Sequence, residues 1–131
     1  MNEQDKKLLL TDLCARLPHD TIVSVVSVCN GELREDVILT PFHLAAINIW
    51  VIKPYLRPMS SMTEEEIKEW DIICVMMRNM PIESISMVLK FVNSKHLDYN
   101  NLIPKGLALP APEGMYQNDN NENTVNIYTN N

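Results

Sequence analysis

The residues of this sequence best suited to chemistry are His96 and Asp98, which flank Leu97. In an extended segment alternate side chains share one side, and a carboxylate beside an imidazole fixes its tautomer and raises its basicity, as a general base requires. Tyr99 would add a hydroxyl to the same weak polar site. A plainer account uses the same residue types: a histidine at the end of a helix, followed by a turn-forming aspartate. The other histidines, His19 and His43, fall neither at i, i+4 of a second histidine nor beside a close pair of cysteines, so no zinc-binding spacing is present.

A nucleophile paired with His96 would have to be Cys14, Cys29 or Cys74, and each lies among apolar neighbours. That setting predicts buried, inert thiols, and an odd number at wide spacing is no disulfide framework. Only Gly31, Gly106 and Gly114 are glycines, too few and too scattered for a phosphate-cradling loop or a dinucleotide fingerprint. Glu64, Glu65, Glu66 and Glu69 could offer oxygens to a divalent cation, but acids at a helix N-terminus are accounted for by the helix dipole. The sequence therefore points to no catalytic residue, no cofactor and no metal, and the expectation is a protein that is not an enzyme.

The chain carries 11 basic and 17 acidic residues, a formal charge of -6, which argues against a surface built to neutralise nucleic-acid phosphates. The best local basic patch would join Lys53, Arg57 and Arg78, although Pro54 and Pro58 interrupt it. No run reaches the 18 or so apolar residues that span a bilayer, and the short Leu8-Leu9-Leu10 run does not resemble a signal peptide, so no membrane partner is expected. With 46% apolar and 21% charged residues the chain has the composition of a folded domain with one core.

The elements follow from periodicity. Leu9, Leu10, Leu13, Cys14 and Leu17 recur three and four apart, which predicts an amphipathic first helix with Asp12 among its solvated residues, ended by Pro18. The β-branched run from Thr21 to Cys29 predicts a strand, Asn30-Gly31 a type I′ turn, and Leu33 to Thr40 a second strand. Residues 42 to 52 are almost wholly apolar and read mainly as a third strand, followed by an extended connector from Lys53 to Pro58. Thr63 and Glu66 form a capping box that opens a second helix with Ile67, Trp70, Ile73, Cys74 and Met77 inward, ending near Asn79. A third helix from Ile82 to about Lys95 points Ile85, Val88, Leu89 and Val92 inward. The fold class is α+β: a small antiparallel sheet of two to four strands flanked by three helices, with an extended C-terminal arm carrying Leu102, Ile103, Leu107 and Leu109. Residues 1–116 form one domain. Residues 117–131 are a polar, Asn-rich tail whose alternation at Val125, Ile127 and Tyr128 could add a strand to a sheet edge.

Two surfaces are candidates for binding another protein: the methionines Met76, Met77, Met80 and Met87 around the turn between the second and third helices, and the tail residues Val125, Ile127 and Tyr128. Three blocks, Leu8 to Pro18, Ile52 to Glu66, and the stretch through Leu102-Ile103-Pro104-Lys105-Gly106-Leu107 to Tyr116, resemble a family of small uncharacterised proteins from gut Bacteroidales and their phages. The resemblance covers roughly half the chain and is weakest over residues 20–50 and after Tyr116. It implies a phage or prophage association, in the cytoplasm of a bacterial host or on a virion, and carries over no catalytic residue. The leading expectation is a non-enzymatic component of an assembly that binds a host or phage protein or associates with itself. The alternatives are a small ligand-sequestering protein or enzyme near His96 and Asp98, with a role in counter-defence, and, third, a nucleic-acid-binding regulator.

Overall fold

A computed structural model describes residues 1–27 and 33–116. The expected Asn30-Gly31 turn, Cys29 and the tail residues Val125, Ile127 and Tyr128 lie outside these. Helix α1 (Glu3–Arg16) starts at an Asn2 cap and runs through a 3-10 turn (Leu17–His19) into β1 (Ile22–Ser27) and β2 (Leu33–Ile38). Helix α2 (Pro41–Ala45), β3 (Val51–Leu56), a 3-10 turn (Met59–Ser61), α3 (Glu64–Asn79), α4 (Pro81–Ser94) and the short β4 (Leu109–Pro110) follow. The class is α+β as the sequence predicts, with one short helix more than expected. Among the described residues no helix is long and apolar enough to cross a membrane.

The strands lie in the order β2-β1-β3-β4. β1 is antiparallel to β2, from Ile22 opposite Ile38 to Ser27 opposite Leu33, and antiparallel to β3, from Val23 opposite Pro54 to Val26 opposite Val51. β4 pairs parallel with β3, which makes the sheet mixed rather than purely antiparallel. The apolar run at 42–52 is not one strand. Pro41 at the first turn and His43, whose ring completes a capping box with Thr40, start a helix there, and only Val51 onward is extended. The proline-containing segment read as a connector is itself the strand.

Pro54 in an interior strand lacks the N–H that a ladder needs. It falls at the last β1–β3 pair, and the gap beyond it is closed by a side chain: the Tyr116 hydroxyl accepts from Ile22 N (2.9 Å) and donates to Tyr55 O (2.8 Å). The C-terminal arm is thereby fastened across two strands.

Buried apolar residues form two clusters. One lies between α1 and the sheet, around Leu9, Leu13, Val23, Val25, Ile52, Leu56, Leu102 and Leu107; the second, around Ile73, Phe91, Val92 and Leu97, holds the α3–α4 hairpin. Phe91 packs 5.6 Å from the Trp70 ring. The inward faces differ from those expected. On α1 the buried set is Leu9, Asp12, Leu13 and Arg16, while Cys14 is exposed. Cys74 is half-buried. On α4 the buried set is Ser84, Phe91, Val92 and Asn93, with Ile85 and Leu89 turned outward. On α3, Ile73 and Glu66 are buried, whereas Ile67 and Met77 are exposed.

Replacing Tyr116 by Phe keeps the ring and removes the strand bridge, leaving Ile22 N and Tyr55 O without it. A loss of about 1–3 kcal/mol is expected in urea denaturation, and an unchanged midpoint would show that the hydroxyl does not fasten the arm.

Candidate functional site

The polar residues that the sequence offers for chemistry are drawn into the seam between the two cores. Asp12 and Arg16, one turn apart on α1, are both fully buried and form an ion pair through Nε and Oδ1, with Arg16 Nη2 donating to Asp12 Oδ2 (3.2 Å). The same Nη2 donates to the carbonyl of Leu97 (2.7 Å), which belongs to the helical core. Asn100 Nδ2 also donates to Asp12 Oδ2 (2.8 Å), and the guanidinium carbon lies 5.1 Å from the Tyr99 ring centroid. A buried charge needs this many partners, since the desolvation cost otherwise exceeds the attraction. Arg16 Nη1 has no hydrogen-bond partner among the described residues, and the ring contact is what the guanidinium has beside it.

His96 and Asp98 make separate contacts. His96 has a left-handed backbone (φ 60°), is 4% exposed, and stacks on Tyr116 with ring centroids 3.7 Å apart. Its Nδ1 lies 3.3 Å from Thr21 Oγ1, and the Thr21 hydroxyl donates to Arg16 O (3.4 Å). Both contacts are satisfied by the neutral tautomer with its proton on Nδ1. Asp98 instead accepts from the backbone of Leu102 (2.8 Å) and Ile103 (2.9 Å), pinning the turn into the C-terminal arm. The Tyr99 hydroxyl donates to Asn93 Oδ1 (3.0 Å). Each of the three polar candidates thus has a separate task. Burial, helped by the positive charges of Arg16, His19 and Arg57, lowers the His96 pKa from 6.5 to about 4.

Of the basic residues considered for a patch, Arg57 is committed elsewhere. Its guanidinium makes a two-pronged contact with Glu66 (2.7 and 2.9 Å) and also donates to Ser61 O and Lys95 O. This contact holds the Glu66 carboxyl below its ordinary range despite burial. Glu66 also takes part in the Thr63 capping box, so the acid that opens α3 is an anchor. Among the described residues no three His, Cys, Asp or Glu side chains converge as a metal would require. An open cleft of about 930 Å³ lies outside this anchor, lined by Arg57, Glu65, Glu69, Lys95, Glu113 and Tyr116 among others. His96 is separated from it by the Tyr116 ring.

The largest departure from a self-contained fold is on the hairpin. Met77 (38%), Met80 (43%) and Met87 (40%) are exposed and Met76 is half-buried, but the strongest exposure belongs to residues the methionine pattern does not include: Ile82 (83%), Ile72 (62%), Ile85 (53%), Val75 (48%) and Leu89 (45%). Ile82, Ile85 and Leu89, spaced three and four apart, make one stripe along α4. The signal was present in the sequence: Ile82, Ile85, Met87, Val88, Leu89, Phe91 and Val92 surround most of the helix, more apolar surface than one packed face can cover.

No known protein family, curated protein or solved structure matches the chain.

Because His96 is held neutral, acid works against the fold. Between pH 6.5 and about 4 the unfolded chain binds a proton that the folded chain refuses, so stability falls across that window by about 3 kcal/mol. Denaturation of the wild type at pH 7 and pH 4.5, set against His96→Asn, checks this: the variant is weaker at pH 7 and loses less on acidification. An equal acid loss in both proteins would put the effect elsewhere.

Proposed function

We propose that this protein has no catalytic activity of its own and works by binding protein through the exposed apolar side chains of the α3–α4 hairpin, as a component of an assembly in a phage or prophage setting. The observation that carries this reading is the exposure of Ile72, Ile82, Ile85 and Leu89 on two helices already packed together. Apolar surface gathered in this way lowers solubility and adds nothing to the fold, so it is ordinarily kept where a partner covers it. The diversion of His96, Asp98 and Tyr99 into separate structural contacts supports the non-enzymatic part. The phage setting rests on the resemblance of the three sequence blocks.

A second reading, a small ligand-sequestering protein with a role in counter-defence, has one observation in its favour: the cleft that reaches Tyr116, the ring stacked on His96. A ligand seated there would contact Lys95 and Tyr116 and protect their surroundings from hydrogen exchange.

The readings separate in one comparison. Tagged wild type and the double variant Ile72→Glu, Ile82→Glu are passed through host lysate with and without phage. Both substituted side chains are exposed, so far-UV circular dichroism should not change. A stoichiometric protein retained by the wild type and lost by the variant is the expected outcome; retention unaffected by the variant would remove the hairpin from the function.

A further inference from the structure

We infer that the C-terminal arm, residues 109–116, is a strap that lets go of the body in mildly acidic solution and uncovers His96 while both cores stay folded. This is independent of the hairpin reading. It rests on how lightly the arm is held, on what its last residue covers, and on the charges around the imidazole.

Leu107 and Ala108 are still buried in the sheet core, but within residues 109–116 Tyr116 is the one buried side chain. Beyond the two-residue β4 the arm is fastened by Ala111 N donating to Leu56 O (2.8 Å), by the Tyr116 hydroxyl between Ile22 N and Tyr55 O, and by the Tyr116 ring on His96. Pro110 and Pro112 have no N–H to add to a ladder. A segment that buries so little opens at a free energy well below that of the whole fold.

The arm also forms one wall of the open cleft, through Ala111, Pro112, Glu113, Gly114 and Tyr116. The Tyr116 ring stands between that cleft and His96. When the arm lifts, the wall goes with it and the imidazole meets water.

With the arm closed, a second proton on His96 has no anion to pair with. Arg16 on α1, His19 in the turn after it and Arg57 after β3 all oppose a positive charge there. The carboxylates of the surrounding segments are taken: Asp12 by Arg16 and Asn100, Glu66 by Arg57 and the Thr63 amide, Asp98 by the amides of Leu102 and Ile103. Lys95, its neighbour in the chain, brings another positive charge, and the arm brings a phenol ring. Thr21 Oγ1 is the partner of Nδ1 alone. Protons therefore favour the open arm. The imidazole titrates near 6.5 when open and at about 4 when closed, so closure is at full strength above pH 6.5. Below that the open population grows about tenfold per pH unit until about pH 4.

The test is amide hydrogen exchange of the full chain, read by NMR between pH 7 and pH 4.5 and corrected for the intrinsic pH dependence of exchange. Ala111 N–H and Ile22 N–H report on the arm, since their acceptors are Leu56 O and the Tyr116 hydroxyl; the β1–β3 ladder amides report on the core. In the wild type both reporters should open more easily than the ladder, and their protection should fall about tenfold per pH unit below 6.5 while the ladder stays protected. His96→Asn keeps a residue that tolerates the left-handed backbone but carries no titrating proton. It should leave the reporters less protected at pH 7 and nearly unchanged on acidification. His19→Asn should keep most of the wild-type slope.

Reporters that open together with the ladder at every pH overturn the inference, because the arm is then no separate unit. Reporter protection that is flat with pH overturns it too, as does protection that rises toward acid, the result of an imidazolium held on the Tyr116 ring face. A slope that survives in His96→Asn, or vanishes in His19→Asn, assigns the effect to another group and overturns it as well. The wild-type comparison of arm and ladder decides the matter even if a variant does not fold.

Discussion

The structure depends on where the charge of Arg16 goes. A guanidinium with no access to solvent has to find its counter-charge and hydrogen-bond acceptors inside the protein, and here they come from two places: Asp12 one turn back on α1, and the Leu97 carbonyl 81 residues further along the chain. α1 packs on the sheet core and Leu97 lies in the helical core, so this one side chain ties the two together. The segment it grips is held from the other side as well, because Arg57 N donates to His96 O (2.7 Å) and Asp98 N donates to Arg57 O (2.8 Å). A left-handed backbone at a non-glycine residue such as His96 costs about 1–3 kcal/mol and persists only where the surroundings over-determine it. They do so here, by backbone pairing on one side, the Arg16 contact on the other, and the Tyr116 ring on the imidazole face.

That arrangement gives each residue of the polar trio its own structural contact. His96 is enclosed and neutral, Asp98 has its carboxylate filled by two backbone donors, and the Tyr99 hydroxyl is turned to Asn93. Each would need to break a structural contact before touching a substrate. The aromatic at the edge of the cleft, Tyr116, is likewise tied through its hydroxyl to β1 and β3. Polar groups in this protein specify which segments meet, and the cost of leaving any one unpaired holds that choice in place.

Local physics was legible in the sequence, and long-range pairing was not. The Thr63 and Glu66 capping box, the break between α3 and α4, and the β-branched β1 follow from neighbours within a few residues, and the α+β class follows from them. Asp12 looked solvated because nothing near it in sequence reveals the Leu97 carbonyl that helps draw its partner Arg16 into the interior. Arg57 looked like a surface base for the same reason, its acceptor Glu66 being known only as a helix cap. In the run at 42–52 apolar content pointed to a strand, while the decisive signals were Pro41 and the small capping arrangement of Thr40 with His43. The α4 face was misassigned at Ile85 and Leu89 because periodicity marks an apolar stripe without saying whether this chain or another covers it.

That last ambiguity bears on what the hairpin is for. Its base is well fixed: Glu66 is clamped by Arg57, and Phe91, Val92 and Leu97 are buried at the C-terminal end of α4. Toward the α3–α4 turn the packing thins, and Met80, Ile82 and Ile85 meet solvent. A sequence selected only to fold would place polar residues at such positions, where good helix formers such as Glu, Lys or Gln cost nothing in packing and improve solubility. Isoleucine, β-branched and a weaker helix former, is favoured there by neither propensity nor exposure. Neither packing nor helix propensity within the chain accounts for the apolar side chains at positions 82, 85 and 89, which stand exposed at the tip of a hairpin whose base is firmly anchored.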